Sequence, residues 1–165
     1  LLVAPMSRAA LLLGKLTPFL IVNLIQIVLM FAVGVFIMPL VGAPKLELGS
    51  HPGALVLISL AASLTATGLG LLIAALAKTA EQISGLGTLL VVTMAALGGV
   101  MVPRYIMPDF MQMIGLISPH AWALTAYQDV LVRGYDIAHI LPEVGALMGF
   151  AVVFFGVALW RFKWD

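Results

Sequence analysis

The sequence predicts an all-α, polytopic bundle of membrane-spanning helices, and three observations predict it. Four stretches, 16–44, 51–77, 82–102 and 144–160, contain no Lys, Arg, Asp or Glu, and a bilayer core of about 30 Å takes roughly 20 apolar residues of helix per crossing. Hydrophobic residues make up 63% of the chain and charged residues 9%, far below the roughly 25% charged of a soluble domain, so water does not suit this composition as a solvent. The apolar runs are continuous rather than alternating, which excludes a β-barrel pattern and leaves helices to satisfy the backbone amides in hydrocarbon. Four spans account for most of 165 residues as one transmembrane domain, 1–165. The absence of Cys excludes disulfides, Cys-ligated zinc and a thiol nucleophile. A net charge of +1 carries no nucleic-acid signature. The chain starts Leu-Leu-Val-Ala-Pro, without Met or a basic and apolar leader, and so reads as the continuation of a longer polypeptide.

Four crossings put both ends on one side. That side holds Arg8, Lys15, Lys78, Arg161 and Lys163, and the other holds Lys45, Arg104 and Arg133. The excess of basic residues predicts cytoplasmic ends for a multi-pass protein.

The first 15 residues are a cytoplasmic approach, in which Pro5 and Ser7 are helix-start signals and Arg8 and Lys15 lie opposite Leu11 and Leu12. This pattern fits a helix along the membrane interface, or simply a basic flank. The first span, 17–40, carries Asn23 and Gln26 three residues apart, which places both amides near one face. Amides facing lipid cost several kcal/mol, about 4 or more, when unpaired, so they either bond across helices or mark a polar patch on a substrate path. The second span, 53–77, carries Ser59, Ser63 and Thr67 at intervals of four, a small-residue stripe that lets another helix approach. The short link to the third span, 83–102, makes those two antiparallel neighbours.

The third span ends in Gly98, Gly99 and Pro103, where a bend or unwinding is expected. Residues 103–143 are too long for a turn and too apolar for a free loop, so they form short re-entrant helices in the outer leaflet. Pro108 starts one, and Ser118 with Pro119 caps the next, which runs to about Arg133 and stops at Gly134. Asp129 and Arg133 are spaced for a local ion pair, and Trp122 and Tyr127 for interfacial anchoring. The last span, 144–160, carries Gly145 and Gly149 as a GxxxG contact signal and ends at the aromatic and basic group Trp160, Arg161, Lys163 and Trp164.

Walker, dinucleotide, HExxH and GxSxG motifs are absent. His51, His120 and His139 fall in separate outer segments, and a metal site would need them to converge. One enzyme reading remains, an embedded hydrolase using His120, Asp129 and His139. A non-transport membrane anchor or assembly subunit is the other alternative. No acid lies deep in a span, so a carboxylate-type proton or sodium relay is not indicated, and energy for transport would come from another chain.

The run Leu2-Val-Ala-Pro-Met-Ser-Arg8 with Gly14-Lys15, followed by Gly98-Gly99, Val102-Pro103, Met107-Pro108, Ser118-Pro119, Trp122, Leu124, Ala126 and Arg133-Gly134, resembles the ABC-2 type permeases, the transmembrane subunits of ATP-binding-cassette exporters. The resemblance spans the whole chain as the carboxy-terminal part of such a permease. It implies that two further spans precede residue 1. It also implies that Pro5, Ser7, Arg8 and Lys15 belong to a cytoplasmic coupling segment touching an ATPase. Gly98, Gly99, Pro103, Pro108, Pro119, Trp122, Arg133 and Gly134 would belong to re-entrant helices that close the path on the outside. The implied partners are an ABC ATPase subunit, a second permease subunit and the lipid bilayer. No cofactor is expected on this chain, with ATP and Mg bound by the ATPase.

Overall fold

A computed structural model of the chain describes residues 8–161, with the side chains of residues 8–13 and 15 excepted. All regular structure among the described residues is helical. Four helices are long and apolar enough to cross a bilayer, over Leu16–Val41, Pro52–Leu76, Ala80–Leu97 and Leu141–Arg161. The molecule is a polytopic helical membrane bundle, as its composition predicts.

The chain divides into two compact units, Leu1–Leu46 and Glu47–Asp165. In the first, α1 (Arg8–Ala32) runs continuously from the basic approach into the span, so the approach and the span are one helix. It continues as a π-helical turn, Val33–Ile37, and a 3-10 turn, Met38–Val41. Proline explains how this end is finished. The Met38 N–H bonds to Val33 O in π register, so the next carbonyl, Gly34 O, would need the N–H of residue 39, and Pro39 has none. The chain turns back through Gly42, at φ +81°, and the Leu46 N–H supplies the missing donor to Gly34 O at 3.0 Å. Hydrocarbon leaves no water to do this, so the orphan carbonyl is met by protein.

In the second unit, α2 (Pro52–Leu76) and α6 (Leu141–Arg161) form the core. Thr65 Oγ1 lies 2.8 Å from the carbonyls of Ala61 and Leu147, and Gly68 lies against Phe154 and Phe155, so contacts advance in the same direction and the helices are parallel. Ile58, Leu147 and Ala158 are sealed between elements, and Leu69, Ile73 and Phe154 form a cluster flanked by Leu72, Met94 and Phe150. The predicted stripe of Ser59, Ser63 and Thr67 is buried on α2. Small residues let the backbones close in, which is how helices associate where lipid is as apolar as the protein.

Three residues join α2 to α3 (Ala80–Leu97). Thr79 caps α3 by accepting from the Gln82 N–H, and Gln82 Oε1 in return accepts from the Lys78 N–H at 2.8 Å. The outward sides of α1, α3 and α6 remain apolar, with Phe19, Leu89, Val152 and Trp160 all exposed, as a lipid solvent requires. Two short helices, α4 (Asp109–Gly115) and α5 (Pro119–Leu131), fill the segment between α3 and α6. The third span is shorter than 83–102 because Gly98 and Gly99 end it at Leu97, and the last begins earlier, at Leu141.

Candidate functional site

The segment between Gly98 and Gly134 is held by side-chain and backbone ties at both ends of α5. Ser118 ends the turn after α4 and caps α5, with its Oγ accepting from the His120 N–H at 3.2 Å and Pro119 at the first helical position. The same hydroxyl donates to Met94 O at 2.7 Å, which pins the α5 start to α3. Its one proton is thereby used, and its oxygen also lies 3.3 Å from His120 Nδ1.

Two glycines let these pieces meet. At Gly98 an added Cβ would stand 2.7 Å from the His120 Cβ and 2.9 Å from the Ala121 backbone nitrogen. At Gly115 it would stand 2.5 Å from the Leu97 carbonyl oxygen, so the end of α4 rests directly on the end of α3. Trp122 is an internal tie more than a free anchor, because its indole N–H donates to Leu116 O at 2.9 Å and holds the α4–α5 turn.

At the other end of α5, Asp129 is buried and paired with Arg133, and the Asp129 carbonyl accepts from the Tyr135 N–H. Gly134 turns the chain at φ +70°, as expected of the residue that stops the helix. Tyr135 and His139 stack with ring centroids 4.0 Å apart. Burial lowers the His120 imidazole below its ordinary pKa. Burial also raises the Tyr127 phenol, against a smaller lowering from its hydrogen bond to Ser59.

That bond, Ser59 Oγ to Tyr127 Oη at 3.0 Å, ties α5 to α2. Replacing Tyr127 with Phe is expected to cost about 1 kcal/mol, because the buried Ser59 hydroxyl loses this partner. Thermal unfolding in detergent measures the loss, and an unchanged midpoint would remove the tie from the account.

Two cavities flank the segment. One of about 310 Å³ lies among α2, α3, α5 and α6, is mostly apolar, and has Thr65 and His120 as its polar walls. The second, about 610 Å³, lies between the 99–105 turn, α4 and α5 and is lined by Arg104, Gln112, Thr125, Gln128 and Arg133. Arg104 Nη1 donates to Thr125 Oγ1 at 3.4 Å and Nη2 to Gln112 O at 3.3 Å, while Gln112 Nε2 reaches Met107 O at 2.9 Å.

A helix pair with its end closed by two short helices is a generic shape. What decides the family is the sequence, which matches the model of the ABC-2 type transporter over residues 1–132. The chain belongs to the ABC-2 type transporter family. Within it, the chain is 31% identical over 159 residues to the linearmycin resistance permease protein LnrN of Bacillus subtilis, covering 96% of this chain and 40% of that protein. It is 32% identical over 116 residues to the inner membrane transport permease YhhJ of Escherichia coli and to that of Shigella flexneri, covering 70% of this chain and 30% of each. The chain thus spans well under half the length of these curated ABC-2 relatives. No solved structure matches it.

The predicted site residues fall as follows. Gly98, Gly99, Pro103, Pro108, Pro119, Trp122, Arg133 and Gly134 all lie in the closed segment between α3 and α6. Asn23, half-buried, and Gln26, exposed, lie on α1. Gly145 and Gly149 face open space on α6, with nothing within 4 Å of an added Cβ. Arg8 and Lys15 are in α1, with side chains outside those described, and Pro5 and Ser7 lie outside the described residues. The hydrolase set does not assemble: His120 contacts Ser118, Asp129 holds Arg133, and His139 stacks on Tyr135. Sequence reasoning missed Arg104, Gly115 and Thr65 as organising residues. A signal existed for Arg104, the sole Lys or Arg between Lys78 and Arg133.

Proposed function

We propose that this chain is the carboxy-terminal membrane part of an exporter permease driven by ATP hydrolysis on a separate ATPase subunit, which binds the ATP and Mg. The observation that carries this reading is the ABC-2 match over residues 1–132. The resistance named for LnrN supports outward transport, since resistance follows when a compound is removed from the cell. Two such permease subunits would enclose the path, with the chain ends on the cytoplasmic side of a prokaryotic cell membrane and the 98–134 segment closing the path outside. Chain polarity is consistent with this, because α3 ends and α2 and α6 begin at the end where that segment sits.

In this mechanism ATP binding closes the ATPase dimer, and the approach around Arg8 and Lys15 receives the movement. The 25 residues of α1, about 37 Å at 1.5 Å per residue, carry that displacement into the span past Pro18, where one backbone hydrogen bond is missing and the helix can bend. Opening at the far side then requires the closed segment to shift with α3 and α2, to which it is tied.

Neutralising the approach, Arg8→Gln with Lys15→Gln, is expected to lower ATPase activity in the assembled complex severalfold, on the order of fivefold, since two charge-assisted contacts are lost. Membrane insertion should be unchanged. ATP hydrolysis by the co-purified complex and carbonate-resistant membrane retention measure the two quantities. Equal hydrolysis and assembly in the variant would refute docking at this approach.

A further inference from the structure

Arg104 is the one cation of the 98–134 segment with no carboxylate paired to it. Among the described residues the only ion pair is that of Arg133 with Asp129. A guanidinium has five N–H donors, and Arg104 spends two, both on neutral oxygens, those of Thr125 and Gln112. Its Nε is buried and unpartnered. Position 99 admits it: at Gly99 an added Cβ would stand 2.5 Å from Arg104 Cγ, and φ is +91°. Glycine is therefore required there both by the turn and by the arginine stem. The arginine is thus held at the wall of the 610 Å³ cavity, with donors to spare. That cavity's lining includes Tyr105, Gln112, Thr125, Gln128 and Arg133 and contains no carboxylate.

The depth of this cavity narrows what fills it. The preceding span, Ala80–Leu97, has 18 residues, about 27 Å of helix at 1.5 Å per residue, close to the thickness of the hydrocarbon layer. Arg104 follows directly and so stands where hydrocarbon gives way to headgroups. Val100 in the cavity wall and the neighbouring Met101, Val102 and Ile106 are exposed apolar residues. A planar fork of donors at that level is suited to a tetrahedral oxyanion.

We infer that the cavity between the 99–105 turn, α4 and α5 is a binding site for a phosphate group, held by Arg104 with Gln112, Thr125, Gln128 and Arg133 around it. At this depth the phosphate of a membrane lipid meets the site directly, and a soluble phosphate reaches it from the water side. The site lies within the segment assigned above to the outer closure, but phosphate binding there requires neither transport nor the ATPase contact.

The test uses the purified, delipidated full-length protein and three probes: short-chain phosphatidylglycerol, a diacylglycerol of the same chain length, and inorganic phosphate. Saturable binding of phosphatidylglycerol, with none of diacylglycerol, is expected by native mass spectrometry and thermal shift. Arg104→Gln should weaken it about tenfold, as loss of a charge-assisted pair does. Gln128→Glu places a carboxylate in the exposed wall without disturbing Arg104 and should weaken binding comparably, so it decides the matter if the arginine variant fails to fold. Lys78→Gln, in the α2–α3 turn, should have no effect. Arg104-dependent binding of inorganic phosphate equal to that of the lipid supports the site and assigns it to a soluble phosphate. Affinities within twofold of the parent in both cavity variants, or an equal loss in Lys78→Gln, would overturn the site.

Discussion

Valine in place of Gly98 is expected to cost roughly 3 kcal/mol of stability, the upper end of what overpacking usually costs. The backbone at Gly98 is ordinary, with φ −73°, so the penalty is one of space alone. A Cβ there would lie 2.7 Å from the His120 Cβ, 2.9 Å from the Ala121 nitrogen and 2.9 Å from the Met94 carbonyl oxygen. Two of these three obstacles are backbone, which cannot swing aside as a side chain does. Relief requires α5 to back away from the end of α3, which strains the Ser118 bond to Met94 O at 2.7 Å. Gly98→Ala should show most of the loss, since the first carbon makes the clash. Gly145→Ala and Gly149→Ala are the controls. Nothing lies within 4 Å of the new carbon in either, and alanine favours helix by up to about 1 kcal/mol over glycine. Their melting midpoints should hold or rise. Thermal unfolding of the four proteins in one detergent makes the comparison. A Gly98→Val midpoint equal to the parent would show that α5 is not seated on α3 as described.

Much of this arrangement is legible in the amino-acid order, and the boundary of legibility is physical. Whatever depends on local chemistry can be read. The Ser118-Pro119 cap, the Gly134 stop and the weak end at Gly98-Gly99 are each decided within three or four residues of chain, and each stands where the residues predict. The spans follow from charge-free length, because lipid tolerates so few alternatives. Partnerships between distant segments are different. The stripe of Ser59, Ser63 and Thr67 marks a buried face of α2, but the hydroxyl that crosses to α6 belongs to Thr65, off the stripe. Gly115 looks like any glycine in an apolar run until the Leu97 carbonyl is found against it. Continuity of α1 was likewise hidden, since a helix start near Ser7 and a span start near Thr17 look alike whether or not a break separates them. Of the closed segment, the local ends were readable, and the seat of Arg104 in its cavity was not.

Leucine in place of Arg133 is expected to cost about 3 kcal/mol, through the residue it leaves behind more than through the one removed. Asp129 has a side chain only 7% exposed, and its carboxylate is neutralised by Arg133 alone among the described residues. It also sits in the last turn of α5, which ends at Leu131, where the helix dipole already presents partial negative charge. Without Arg133 a buried, unpaired anion would stand at the wrong end of a helix. The arginine itself is about half exposed, with a side chain 52% accessible, so the loss should fall at the lower end of the range for fully buried pairs. Asp129→Asn tests this reasoning from the other side: it removes the charge but leaves a polar isostere and an exposed arginine, and should cost under about 1 kcal/mol. The double variant should then be close to Asp129→Asn alone, because no orphaned carboxylate remains. Equal losses from the two single variants would mean that the attraction, not the stranded charge, dominates. A double variant as unstable as Arg133→Leu would sink the account of Asp129 altogether.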